Sequence, residues 1–196
     1  MAKIAIIGSG NVGSALARGL GRSGHDVRTS RHDDAKEKAQ WGEVVFLAVP
    51  FPAVDDVVRA HGDVLAGKTI VDVTNALTPE MKLAVGYSTS GAEELQKKLP
   101  KARVVKCFNT VFAEHMDKGK VGDKQLTVFA AGDDDEARRT VLGLAKNIGF
   151  DAVDAGPLIN ARSLETMGFF NIQLGYVLGH GTKMGLRLFH DEPRKT

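Results

Sequence analysis

A chain of 196 residues with 43% hydrophobic and 26% charged side chains has the composition of one globular α/β domain with room for a small helical appendage. Its 26 Lys and Arg stand against 24 Asp and Glu, so bulk charge excludes nucleic acid and anionic membrane as partners and leaves a small anion, held at a local basic spot, as the open case. One cysteine, Cys107, excludes an intrachain disulfide and suits a reducing, cytoplasmic compartment.

The first element is the apolar run Ile4-Ala5-Ile6-Ile7, too short for a signal-peptide core and read as a strand over Lys3–Ile7. Gly8-Ser9-Gly10-Asn11-Val12-Gly13 follows, a G-x-G-x-x-G that leaves a strand and opens a helix over Gly13–Leu20. In that setting Gly8 makes the tight turn, Gly10 lets a pyrophosphate approach the backbone and Gly13 packs helix on strand. The free N–H groups of the helix start then face the phosphates.

The second strand, Asp26–Thr29, ends at Thr29-Ser30-Arg31-His32. An NAD-binding chain places Asp or Glu there for the ribose 2′-hydroxyl. A hydroxyl and a guanidinium suit a 2′-phosphate instead, so Ser30 and Arg31 predict NADP, with Lys36 and His32 as weaker helpers. Asp33 and Asp34 are read as caps of a short helix, Asp33–Gln40. The third strand, Val44–Val49, leads into Ala48-Val49-Pro50, and the fourth, Thr69–Val73, into Thr74-Asn75. Both lie at carboxyl strand ends, where open α/β sheets hold ligands. Ala48, Val49 and Pro50 are therefore expected on the nicotinamide side of the cofactor, with Asn75 bonding ribose or carboxamide. Between these strands, Gly62 to Thr69 spells G-x-x-x-x-G-K-T but runs from helix to strand, the reverse of a phosphate loop.

Further strands are expected at Arg103–Lys106, Leu126–Ala130 and Ala152–Asp154. Cys107 ends an apolar run ahead of Phe108, which suits a buried structural thiol. Asp133 to Glu136 begins a helix reaching Asn147, with Gly149 behind it. From Pro157 no strand signal returns, and Ala161 to Phe189 read as one or two helices. Gly175, Gly179, Gly181 and Gly185 fall there in pairs four apart, for packing within the chain or across a homodimer seam. The uncharged stretch ending at Lys183 is broken by Asn171, Gln173 and glycines, so no membrane span is expected. The six histidines and lone cysteine have no metal-ligand spacing. No G-x-S-x-G elbow is present, and Ser88-Thr89-Ser90 has no evident base. The reading is a Rossmann-type, doubly wound, mostly parallel α/β sheet. A cofactor-binding domain spans 1–156, and a helical segment, 157–196, completes the substrate pocket.

The glycine loop, Gly24-His25-Asp26-Val27, Ser30-Arg31, Ala48-Val49-Pro50, Thr74-Asn75, the run from Ser88 to Glu93 and the run from Val104 to Thr110 together resemble the deazaflavin-dependent NADP oxidoreductase family. The likeness covers roughly Met1 to Asn160, and the ferric-reductase domains of certain membrane metalloreductases are similar too. The resemblance implies direct hydride transfer between the nicotinamide of NADP(H) and the deazaflavin coenzyme F420, with no essential general acid or base. It also implies pyrophosphate on Ser9 to Val12, 2′-phosphate on Ser30 and Arg31, and Thr110, Val111 and Ala113 against the nicotinamide and substrate rings. Hydride transfer needs two rings held in contact by a dry apolar wall, which those residue types supply. Between Arg31 and Glu43 one short helix stands where the family pattern has a further strand and loop, so the sheet is expected to lack a strand there. Two other readings stand beside this one: an NADPH-dependent flavin, quinone or ferric-chelate reductase, and a non-catalytic NADP(H)-sensing module.

Overall fold

The apolar runs become strands buried on both faces because alternate residues serve two different cores. The computed structural model describes residues 1–30, 34–85, 87–189 and 191. In chain order the elements are β1 (Lys3–Ile7), α1 (Asn11–Arg22), β2 (Asp26–Ser30), α2 (Ala35–Trp41), β3 (Val44–Leu47), α3 (Val54–Leu65), β4 (Thr69–Asp72), α4 (Gly91–Lys98) and β5 (Arg103–Lys106). A small ribbon of β6 (Lys120–Val121) and β7 (Lys124–Gln125) precedes β8 (Thr127–Gly132), α5 (Asp135–Ile148), β9 (Asp151–Asp154) and α6 (Ala161–Ile172). Ile4, Ile6, Phe46 and Val105 point to one core with Leu16, Leu20, Val141 and Leu144 of α1 and α5. Their neighbours Ala5, Ile7, Leu47 and Val104 point to the other, with Ala39, Leu65 and Leu95 of α2, α3 and α4. Truncating a fully buried leucine such as Leu16 or Leu65 to alanine costs about 2–5 kcal/mol.

Among the described residues, seven strands form one sheet in the order β2-β1-β3-β4-β5-β8-β9. All neighbours are parallel except β5 and β8, which run antiparallel through Val105 opposite Gly132 and Lys106 opposite Ala131. The chain thus winds from β1 outward to β2, then returns past β1 to build the other side, so the direction of winding reverses between β1 and β3. Carboxyl strand ends diverge at such a reversal and leave a crevice. From residue 34 to β3 the chain holds only the short helix α2.

Several expectations meet the structure closely. The carboxylate of Asp134 accepts from Ala137 N–H at 2.8 Å to cap α5, and Gly149, at φ 120°, ends it in the left-handed region. The G-x-x-x-x-G-K-T segment does join helix α3 to strand β4, and the Lys68 ammonium donates to the carbonyls of Gln40 (2.9 Å) and Gly42. The C-terminal expectation needs correction. Helix persists through α6 and one π-type turn, Gln173–Val177, and then stops. Gly179 and Gly181 at φ 77° and 75° turn the chain out of helical conformation, and residues 178–189 form a non-helical strap. Two of the four spaced glycines are used inside the chain. A Cβ on Gly175 would stand 2.6 Å from the Phe112 ring, and one on Gly185 2.6 Å from the Leu126 side chain.

Candidate functional site

At the β1–β3 reversal the backbone is packed too tightly for side chains. Gly8 has φ 114°, and a Cβ there would lie 2.2 Å from the Ala48 carbonyl oxygen; a Cβ on Gly13 would lie 2.0 Å from the Gly8 carbonyl oxygen. Gly10 has open space where its Cβ would be. It occupies the N-cap of α1, and no side chain caps that helix. The amides of Asn11, Val12 and Gly13 therefore keep their hydrogen-bonding capacity at the positive end of the helix dipole. Ser14 Oγ donates to the Ser9 carbonyl at 3.0 Å and braces the loop. This arrangement fits a pyrophosphate: two glycines fix the turn, and the third leaves room for phosphate oxygens.

Beside the loop lies a cavity of about 410 Å³, lined by Gly8, Ser9, Ser30, Val49, Pro50 and one face of α3 carrying Val57 and His61. Its walls are apolar enough for an adenosine, and the crevice brings Ser30 to the glycine loop; Val49 and Pro50, expected on the nicotinamide side, line this same cavity beside Ser30. Ser30 is buried, its hydroxyl 3.4 Å from the Ile6 carbonyl. Lys36 turns away from this group and pairs with Asp63 at 2.8 Å on the surface. Arg31, His32 and Asp33 lie outside the described residues. Asp34 stands at the N-cap of α2 with no cap hydrogen bond from its side chain, and its carboxylate meets Lys38.

The edge at β4 and β5 is built differently. Phe108 takes φ 66° immediately after Cys107, a conformation that costs a non-glycine residue about 1–3 kcal/mol and persists only where packing imposes it. Its ring sits between Phe46 and Phe150 at centroid distances of 6.0 and 5.8 Å. The sharp turn sends Asn109 to Phe112 across the sheet's carboxyl edge. Asn75, expected to bond the cofactor, donates its amide to the Asn109 carbonyl at 3.1 Å, and Asn109 donates to Asn75 Oδ1 and to the Leu164 carbonyl of α6. Gly168 permits this contact, because a Cβ there would come within 2.6 Å of both asparagine side chains. Thr110 and Val111, expected against the reacting rings, are 2% and 7% exposed. Burial pushes the Cys107 thiol far above the ordinary range, which makes it a poor nucleophile.

Beneath this edge lies an ion cluster. Lys106 Nζ stands 2.9 Å from Asp72 Oδ2 and 2.9 Å from Glu165 Oε1, and donates to the Thr74 carbonyl at 2.7 Å. Glu165 also accepts from the N–H groups of Gly91 (2.8 Å) and Ala92 (3.1 Å) at the start of α4. Burial alone would lower the Lys106 ammonium, and the two carboxylates more than reverse this, holding it above the ordinary lysine range.

The family model for coenzyme-F420-dependent NADP oxidoreductases matches residues 3–41 and 32–76, which include the glycine loop and the strand ends at Pro50 and Asn75. The chain is 32% identical over 84% of its length to metalloreductase STEAP3 of Rattus norvegicus, spanning 36% of that protein. It is 28% identical over 67% of its length to the F420-dependent NADP reductase of Methanocaldococcus jannaschii, spanning 61% of it. A solved structure of a candidate F420-dependent NADP reductase of Arthrobacter sp. FB24 superimposes at a TM-score of 0.87 with 28% identity, covering 97% of this chain and 100% of that one. The likeness to F420-dependent NADP oxidoreductases thus lies in residues 3–76 by family model and runs over the whole fold in the Arthrobacter structure.

A second cavity, of about 370 Å³, opens at the start of α1, where it meets Asn11 of the glycine loop. Asn11, Ser14 and Arg18 form one wall, Phe112 to Glu114 another, and Tyr176 and Thr182 the third. Of the residues predicted for the site, Ala113 and Asn11 reach it. Phe112 and Tyr176 meet edge to face at 5.7 Å and 84°, leaving an apolar surface beside the pyrophosphate loop. Arg18 was legible in principle, since residues 11, 14 and 18 fall on one helix face. Tyr176 and Thr182 were not, because they arrive from the far end of the chain. Among the described residues, no helix is long and apolar enough to cross a membrane.

Proposed function

We propose that this NADP-dependent oxidoreductase passes a hydride between NADP(H) and the deazaflavin coenzyme F420, with NADP(H) across the β1–β3 crevice and the acceptor in the cavity walled by Phe112 and Tyr176. The observation that carries the reading is that two cavities meet one phosphate-ready loop, one at Gly8 and Ser9 and the other at Asn11. When bound, NADPH supplies the hydride. The chain's own residues bind and orient. The α1 amides and Ser9 hold pyrophosphate, and Ser30 with Arg31 selects the 2′-phosphate. Val49 and Pro50 wall the nucleotide, and Phe112, Ala113 and Tyr176 keep water from the reacting faces. Likeness to the Arthrobacter protein over the whole of both chains supports a deazaflavin as acceptor. Identity to a metalloreductase favours a ferric chelate as the second reading, although the chain spans only 36% of that relative. A homodimer in the cytoplasm suits the free, buried Cys107 and the exposed apolar side chains of Phe170, Val177 and Leu178.

The test is NADPH oxidation, followed by its near-ultraviolet absorbance, against deazaflavin, flavin, quinone and ferric-chelate acceptors. Turnover with the deazaflavin well above the others is the expected result, and tight NADPH binding with no acceptor consumed defeats the reading. Arg31→Ala is expected to weaken NADP binding by about 10–100-fold, or about 1.5–3 kcal/mol for a charge-assisted bond, and to leave NAD binding nearly unchanged. Equal losses for both dinucleotides in titration calorimetry would remove Arg31 from the site.

A further inference from the structure

The geometry points to His115 as a positioning residue that holds the C-terminal strap in place as the third wall of the acceptor cavity. This inference rests on the reading of that cavity as the acceptor site. His115 is buried, and its Nε2 lies 2.9 Å from the Thr182 carbonyl, 67 residues away in the chain. A carbonyl only accepts, so this bond fixes the ring with its proton on Nε2. His115 closes the short turn Ala113–His115, whose first two residues line the same cavity. One turn therefore supplies one wall and fastens another.

Among the described residues the strap has further holds on either side of this bond. Before Thr182, the backbone N–H groups of His180 and Gly181 donate to Leu174 and Gly175, but Gly179 and Gly181 have positive φ and touch nothing with the space of a Cβ. After it, the strap is anchored at the start of β8. Thr127 N–H donates to the Leu186 carbonyl at 2.9 Å, Leu188 N–H donates to Thr127 Oγ1 at 2.9 Å, and Gly185 packs on Leu126. Loss of the imidazole thus leaves residues 179–183 tied by the His180 and Gly181 amide bonds alone ahead of the anchor at β8, and the nucleotide crevice, which the strap does not line, is untouched.

The test compares wild type, His115→Ala and His115→Gln, since the glutamine amide can present a donor at a similar reach. Hydrogen exchange of the strap between Gly179 and Lys183 is expected to quicken by about tenfold in the alanine variant and to return close to wild type in the glutamine variant. The acceptor KM is expected to rise by about the same factor in the alanine variant, with NADPH affinity and unfolding midpoint nearly unchanged. Unaltered strap exchange in His115→Ala overturns the assignment, and so does a loosened strap with an unaltered acceptor KM, a loss of NADPH affinity equal to the rise in acceptor KM, or a glutamine variant no better than alanine. A wild-type protein that consumes no acceptor defeats the reading of the cavity, whereas strap exchange decides on His115 without turnover.

Discussion

Glu165→Ala is expected to lower stability by about 3–5 kcal/mol, the usual cost of removing one partner from a buried ion pair. Lys106, Asp72 and Glu165 are 0%, 2% and 4% exposed, so the carboxylate lost cannot be replaced by solvent. Asp72 remains beside Lys106 and tempers the loss. The amides of Gly91 and Ala92, which lose their acceptor at the same time, add to it. Glu165→Gln keeps an oxygen for those amides and gives up the charge, and should fall between the two. Because the Lys106 ammonium is held above its ordinary range, its contribution is complete below the unfolded lysine value and is lost only as pH rises through the folded one. The deficit should therefore stay constant across neutral pH. Urea unfolding at several neutral pH values measures it; a loss under about 1 kcal/mol, the range of an exposed pair, would show that the cluster is not a buried charge network. The same contacts predict that a chain ending at residue 156 loses cooperative unfolding, since α6 brings Glu165, the Leu164 carbonyl and the buried Leu158 and Ala161 to the sheet.

This cluster also marks where the sequence stopped being informative. The glycine loop was legible because its chemistry is local: strand, turn and helix lie within the span from Lys3 to Arg22, and each glycine's role follows from its offset. The crevice was legible one step further, since alternating strands and helices fix where carboxyl ends meet. Lys106, by contrast, reads as the polar end of an apolar strand. A charge flanked by Val105 and Cys107 asks for buried partners, but nothing local says they are Asp72 and Glu165. The reversal of β8 was hidden because a strand buried on both faces shows the same apolar run in either direction. Asn75 illustrates a different ambiguity: a polar side chain at a carboxyl edge serves a ligand or a neighbour equally well, and here Asn109 takes it. The strap was misread as helix because its Leu, Met and Phe content outweighed the two glycines that end the helix.

Paired substitutions in the glycine loop separate a packing role from a ligand role. Gly13→Ala places a Cβ 2.0 Å from the Gly8 carbonyl oxygen, a backbone atom that cannot rotate aside, so β1 and α1 must move apart. Intrinsic helix propensity would favour alanine by about 1 kcal/mol, and the clash is expected to overwhelm it, lowering the melting temperature and NADPH affinity together. At Gly10 the backbone is extended, at φ −72° and ψ −168°, and no atom lies within 4 Å of the added methyl. Gly10→Ala should melt within a degree or two of wild type, because an N-cap glycine exchanged for alanine changes helix stability by about 1 kcal/mol or less. The methyl nevertheless occupies the space assigned to phosphate oxygens. Displacing one or two charge-assisted bonds there corresponds to about a 100-fold weaker NADPH affinity, or about 2.7 kcal/mol. Titration calorimetry beside thermal melting reads both quantities. If Gly10→Ala bound NADPH as tightly as wild type, the open space at the helix start would not be the phosphate site, and the placement of both cavities around it would lose its meaning.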